Sequence, residues 1–164
     1  MGLENPFGNS VLKHTRCVVQ KLNNGSVLVS IRSGNKIILT RQPQKRPPVL
    51  WKLPGGKIED GETPQEAAVR EVAEETEIDI RDQILSEPTE YPMNGPAGPY
   101  VQYVFEVSVP EQLIKKHVGA IIETIDDEGQ KLESTSFEMS ELAGMGDFMP
   151  KHAKFLDELE SAPA

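Results

Sequence analysis

Residues 56–78 read GKIEDGETPQEAAVREVAEETEI, and the second half of that stretch carries the local signals of a helix. Thr63 is a good N-cap residue and Glu66 stands three residues later, the spacing of a capping box. Pro64 falls at the first helical position, where its missing N–H costs nothing. The spacing predicts a helix from about Pro64 to Thr76. With Glu71 at zero on a wheel of about 100° per residue, Glu75 falls at about 40° and Glu74 about 60° to the other side. Val69, Val72, Ala73 and Thr76 gather between about 100° and 200°. One face is therefore apolar and the opposite face acidic. Glu71 and Glu75 are like charges at i, i+4, which costs an isolated helix a few tenths of a kcal/mol. Three converging carboxylates suit a hard divalent cation, which demands oxygen ligands. A solvated acidic face is the plainer reading of the helix taken alone.

Upstream the charge reverses. Residues 41–57, RQPQKRPPVLWKLPGGK, hold Arg41, Lys45, Arg46, Lys52 and Lys57 and no acid, whereas 58–77 hold eight acids and one cation, Arg70. Two solvated surface stretches would look like this. So would a phosphate-attracting loop beside a metal-binding carboxylate cluster. Composition does not choose between them.

Residues 1–10, with Pro6, Gly8 and Asn9, read as a flexible lead-in. Residues 11–164 read as one domain. Three β-type runs follow, Arg16 to Leu22, Ser26 to Arg32 and Lys36 to Arg41, separated by Asn23-Asn24-Gly25 and Ser33-Gly34-Asn35. These spacers suit tight hairpins and predict an antiparallel meander. Pro43, Pro47 and Pro48 make a loop before Trp51. Beyond the helix, Ile84 to Tyr91 reads as a weak strand, at an edge or bulged because of Pro88, and ended by Pro92 and the loop Asn94 to Pro99. Tyr100 to Val109 reads as a strand. Residues 110–130 are ambiguous, Ser134 to Met139 reads as a short strand, and Pro150 to Glu160 has helical periodicity. Strands, helix, strands, helix is the order of an α/β domain with a mixed sheet.

The chain has 164 residues, 37% of them hydrophobic and 26% charged, which is a globular composition for one domain. No apolar run approaches the roughly 20 residues of a membrane helix. The N-terminus has neither the charge nor the apolar stretch of a secretion signal. Cys17 is the one cysteine, so neither an internal disulfide nor a paired-cysteine zinc site is available, and a reducing cytoplasm is the expected setting. A net charge of −9 argues against stable nucleic-acid binding but not against a small anionic substrate.

Gly56, then five residues, Glu62, seven residues, and Arg70-Glu71-Val72-Ala73-Glu74-Glu75 resemble the Nudix box, with Ile78 matching again after one departure: Glu77 stands where the family has glycine. Leu53-Pro54-Gly55-Gly56 is similar to the family's entry into the box. The resemblance implies the Nudix α/β/α sandwich with a mixed β-sheet. It also implies Mg²⁺-dependent hydrolysis, Mn²⁺ being the alternative, of a nucleoside diphosphate linked to another moiety. By the same resemblance, Glu71, Glu74, Glu75 and the carbonyl of Gly55 are metal ligands, while Gly56, Glu62 and Arg70 brace the box. The general base is Glu71 or a glutamate of a later loop, Glu128 or Glu133, with Glu128 preferred.

The substrate is less legible. The box and its flanks look most like the MutT-type nucleoside triphosphate pyrophosphohydrolases, and Asp147-Phe148-Met149-Pro150 resembles a base-holding segment of those members. Arg41-Gln42 before a proline-rich loop is similar instead to the ADP-ribose and nucleotide-sugar pyrophosphatases. Arg41 and Lys57 are the expected phosphate contacts and Trp51 the expected base-stacking side chain. A non-catalytic nucleotide-sensing domain is a further class, but such domains usually lose box carboxylates, which are kept here. A calcium-binding acidic domain lacks its ligand loop, since Asp126-Asp127-Glu128-Gly129 is too short.

Overall fold

The computed structural model describes residues 25–161. The expected lead-in, the run Arg16 to Leu22 and most of the spacer after it lie outside the described residues. Strands β1 (Ser26–Ser33) and β2 (Lys36–Arg41) form an antiparallel hairpin through a turn with Gly34 at φ 59°. Next come β3 (Gly55–Lys57), helix α1 (Pro64–Thr76), β4 (Thr89–Gly95) and β5 (Gly98–Ser108). A short helix α2 (Glu111–Ile114), β6 (Ile122–Ile125), β7 (Lys131–Glu138) and helix α3 (Pro150–Ser161) follow. Among the described residues seven strands make one sheet in the order β4-β5-β1-β2-β7-β6, with β3 also paired to β1.

The sheet is mixed. β1 and β5 run parallel from Ser26↔Gln102 to Arg32↔Ser108, and the remaining strand pairs are antiparallel. Period-two alternation gives the sheet two apolar faces. Val27, Val29, Ile31, Ile38 and Phe105 pack with Ala67, Ala68 and Val72 of α1. Leu28, Ile37, Leu39 and Val104 pack with Phe155 and Leu156 of α3 on the other side. The result is an α/β/α sandwich.

Several expectations need correction. Beside β1 on the far side from β2 lies β5, in parallel, where the sequence suggests a simple meander. The weak strand is shifted toward the C-terminus: β4 starts at Thr89, runs through Pro92, and pairs with β5 down to Gly95↔Gly98. The tight turn Pro96-Ala97, with Gly98 at φ 113°, replaces the expected long loop. β4 is an edge strand, as Pro88 suggested, and an edge has a row of backbone groups without ladder partners, where a proline is tolerated. Residues 110–130 resolve into α2, one turn of 3₁₀ helix and edge strand β6, and β7 starts three residues earlier than expected. The helix boundaries Pro64 and Thr76 match the sequence reading.

Candidate active site

α1 starts where its capping box dictates. Thr63 Oγ1 accepts from the Glu66 N–H and Glu66 Oε2 accepts from the Thr63 N–H, both at 3.1 Å. It ends with Glu77 in the left-handed region, φ 62° and ψ 14°. Two side chains cover the last carbonyls: the His117 ring Nε2 lies 3.0 Å from the Thr76 oxygen, and the Thr124 hydroxyl donates to the Glu75 oxygen at 3.3 Å.

Residues 51–57 form a strap between the splaying ends of β1 and β2. Lys52 pairs with Thr40 of β2 through two 2.8 Å backbone bonds, and Val29 of β1 donates to the Pro54 carbonyl at 2.9 Å. Gly55, Gly56 and Lys57 then pair with Leu28, Val27 and Ser26. The strap lies tight against its neighbours at two glycines. A Cβ on Gly55 would overlap the Val27 carbonyl, and one on Gly56 would overlap the Glu71 carboxylate. The two glycines thus let α1 bring its acidic residues directly against backbone.

Arg70 organises the rim. Its Nε donates to Glu62 Oε2 at 2.7 Å and its Nη2 to Glu62 Oε1 at 2.9 Å and the Lys57 carbonyl at 3.0 Å. Its Nη1 reaches Glu71 Oε1 at 2.9 Å and Glu74 Oε2 at 3.3 Å. The guanidinium holds the Glu62 carboxyl below the usual range. Burial pushes the Glu71 carboxyl up, against the pull of Arg70. Glu75 is 6% exposed and its Oε2 has no hydrogen-bond partner. Burial pushes its carboxyl up to about 7, opposed by the charge of Lys52 and reinforced by that of Glu71.

The helical wheel puts Glu71, Glu74 and Glu75 on one solvated face. In the fold they differ: Glu75 is buried, Glu71 is half-buried and Glu74 is at the rim. All three line one cavity of about 200 Å³, together with Asp126, Asp127 and Glu128. Glu59 and Gln42 also line it, and among the described residues Arg70 is its one basic lining residue. Among the described residues no three His, Cys, Asp or Glu side chains stand close enough to form a ready metal cage. Arg70 donates to two of the box carboxylates, Glu71 and Glu74. The donor set nevertheless fits a divalent cation: it is all hard oxygen, in carboxylate excess, with one buried carboxylate oxygen lacking any protein partner.

The other expected site residues are placed as follows. Glu133 is not free, because its Oε1 accepts from Arg41 Nε at 2.9 Å. Arg41 also lies over the Trp51 ring, 4.4 Å from its centroid. Trp51 is 5% exposed and meets Phe137 edge-on at 5.1 Å, so a base reaches its ring only by displacing Arg41. Lys57 is exposed and is absent from the cavity lining. Phe148 is in the core, and the Asp147 carbonyl accepts from the Trp51 N–H at 2.7 Å. Sequence reasoning named Glu128 but missed Gln42, Glu59, Asp126 and Asp127 as cavity walls. The signal for Glu59 was the charge reversal at residue 58, which does not say which acids face inward.

A mixed sheet between two helical layers, with an acidic helix under a double-glycine strand, defines a domain of the Nudix class. A family model described as NUDIX domain matches residues 22–159, and the chain belongs to that family. It is 36% identical over 61 residues to 8-oxo-dGTP diphosphatase of Proteus vulgaris, covering 37% of this chain and 54% of that protein. It is 35% identical over 79 residues to ADP-ribose pyrophosphatase of Methanocaldococcus jannaschii, covering 48% and 47%. The chain thus spans about half the length of these curated relatives. The NUDIX domain of Shewanella oneidensis NrtR, solved with ADP ribose, has the same fold, with a TM-score of 0.64 and 16% identity over 84% of this chain and 86% of that one.

Proposed function

We propose that this chain hydrolyses the phosphoanhydride of a nucleoside di- or triphosphate derivative with the help of a divalent cation, Mg²⁺ or Mn²⁺. The observation that carries the reading is the Glu75 carboxylate, buried beside Glu71 in an acidic cavity with its Oε2 unpartnered. Glu71, Glu74, Glu75 and the Gly55 carbonyl would hold the cation, which neutralises phosphate charge and acidifies a bound water. Arg70 keeps Glu71 and Glu74 in reach of that position while Glu62 holds Arg70. Glu128 is favoured as general base because it lines the cavity, whereas Glu133 is tied to Arg41. In the reaction water oxygen bonds to phosphorus, the bridging P–O bond breaks, and the water proton passes to the base.

The favoured substrate is a nucleoside triphosphate cleaved to nucleoside monophosphate and pyrophosphate, supported by the MutT-like box and by the match to a relative named 8-oxo-dGTP diphosphatase. ADP-ribose is the second reading, because the match to a relative of that name is the longer of the two. The test is a panel of nucleoside triphosphates, ADP-ribose and nucleotide sugars with Mg²⁺ or Mn²⁺, run in ¹⁸O-labelled water. A nucleoside monophosphate as one product is expected. Label found only in inorganic phosphate from terminal attack would overturn the reading, and no turnover of any member would favour a nucleotide-sensing domain.

A further inference from the structure

The strap at residues 51–57 has a partner on each side except where the C-terminal chain turns away from it. On the outer side, the Trp51 N–H donates to Asp147 at 2.7 Å and the Trp51 carbonyl accepts from Met149 at 2.9 Å, so 147–149 acts as a short parallel strand. Alternation then aims the Leu53 N–H at the same side. There α3 has already begun at Pro150, and its backbone carbonyls are committed to the helix. The acceptor that a continuing strand would have offered comes instead from a side chain: the Leu53 N–H donates to His152 Nδ1 at 2.9 Å. Both groups are buried, Leu53 at 0% and His152 at 5% exposure. Water cannot replace that acceptor without opening the core, and a buried N–H left alone is costly. Two residues further on stands Gly55, whose backbone faces Val27 and Leu28 and whose carbonyl is a ligand in the reading above.

We propose that His152 is a positioning residue for the cation site: by accepting from Leu53 it fixes the strap, and with it the Gly55 backbone, relative to the carboxylates of α1. This rests on the proposed divalent-cation-dependent hydrolysis. The imidazole must keep Nδ1 unprotonated to accept, which leaves its proton on Nε2. Asparagine offers an acceptor oxygen near the Nδ1 position; leucine fills similar space without one.

The experiment uses the full chain and three variants: His152→Leu, His152→Asn and Leu156→Ala, the last removing core volume from the same helix while leaving the imidazole in place. Mn²⁺ affinity is read by calorimetry without substrate, and Leu53 amide exchange by NMR in metal-free protein. Loss of a group bonded directly to a ligand typically costs tenfold or more in metal affinity, and His152 acts one link further out, so His152→Leu should bind Mn²⁺ several-fold more weakly and lose Leu53 protection, and His152→Asn should retain most of both. Leu156→Ala should melt lower yet keep the Mn²⁺ affinity. The proposal is overturned if His152→Leu keeps the affinity or the Leu53 protection, or if Leu156→Ala weakens Mn²⁺ as much as His152→Leu does. If His152→Leu does not fold, N–N coupling across the Leu53–His152 bond in the unsubstituted chain decides: its absence overturns the proposal. If the unsubstituted chain binds no Mn²⁺, the metal reading fails, and the Leu53 exchange comparison still decides the role of His152 in fixing the strap.

Discussion

Arg70 grips Glu62 with two parallel bonds, Nε to Oε2 at 2.7 Å and Nη2 to Oε1 at 2.9 Å, across the loop that precedes α1. Both side chains are largely covered, at 23% and 13% exposure. The remaining Glu62 capacity is used as well, since Oε1 accepts from the Glu59 N–H at 3.0 Å. A lysine cannot reproduce the fork. Arg70→Lys should therefore lower stability by about 1–2 kcal/mol, less than a fully buried pair would give. The melting temperature should drop by several degrees. It should also release Glu71 and Glu74, so kcat should fall too. An unchanged melting temperature would remove Arg70 from its bracing role.

Glu75 separates stability from activity. A buried carboxylate with an unpartnered oxygen destabilises the metal-free fold, and an amide of the same size removes the charge. In EDTA, Glu75→Gln should melt a few degrees higher than the unsubstituted chain. With saturating Mg²⁺ or Mn²⁺ its kcat should be about two orders of magnitude lower, and the cation should no longer raise its melting temperature. A paired melt and rate assay decides. Near-normal turnover in Glu75→Gln would sink the assignment of the box carboxylates.

His152 gives a pH signature. Burial, with the charges of Lys52 and Lys151 adding, pushes its pKa down to about 3 from an ordinary value near 6.5. Between those values the unfolded chain takes up a proton that the native chain refuses. Stability should be full above about pH 6.5 and fall as the pH drops toward 3, by at most about 1.4 kcal/mol per pH unit from this group. His152→Asn does not titrate there. In metal-free protein, denaturant midpoints at pH 5 and pH 7 should therefore differ less in His152→Asn than in the unsubstituted chain. Taking the difference between the two proteins cancels the opposing contribution of Glu71 and Glu75, whose raised pKa values favour the lower pH. Equal pH dependence in both would show that His152 is not held neutral.

The sequence made some of this legible and hid the rest for physical reasons. The limits of α1 could be read because Thr63, Pro64 and Glu66 act within one turn. The β1–β2 hairpin could be read because Gly34 sets it locally. The parallel pairing of β1 with β5 could not, since it joins residues 76 positions apart and leaves no local mark, as Ser26↔Gln102 illustrates. In the same way the box positions are visible as a pattern, but burial of Glu75 depends on the strap between β1 and β2. Trp51 shows the limit of reading a residue by type: an aromatic beside a basic loop suggests base stacking, and the fold covers it with Arg41 and Phe137. His152 carries no sequence signal at all, because its partner, Leu53, is 99 residues away.

Glu77 is the one non-glycine with positive φ among the described residues, at φ 62° and ψ 14°. Its N–H donates to the Ala73 carbonyl at 3.0 Å, closing the last turn of α1. A side chain in the left-handed region costs about 1 kcal/mol, and an acid at a helix C-terminus adds a few tenths because the dipole there is negative. Glycine relieves both. Against this, glycine loosens the unfolded chain by about 0.4–1 kcal/mol, so the gain is small but positive. Glu77→Gly should raise the melting temperature by about 1–3 °C, given the usual scaling for a domain of this size. The side chain is exposed and is absent from the cavity lining, so kcat should be nearly unchanged. A matched thermal melt and rate assay on the single variant checks both halves. A lower melting temperature rejects the strained-turn account, and a large loss of rate places Glu77 within the chemistry.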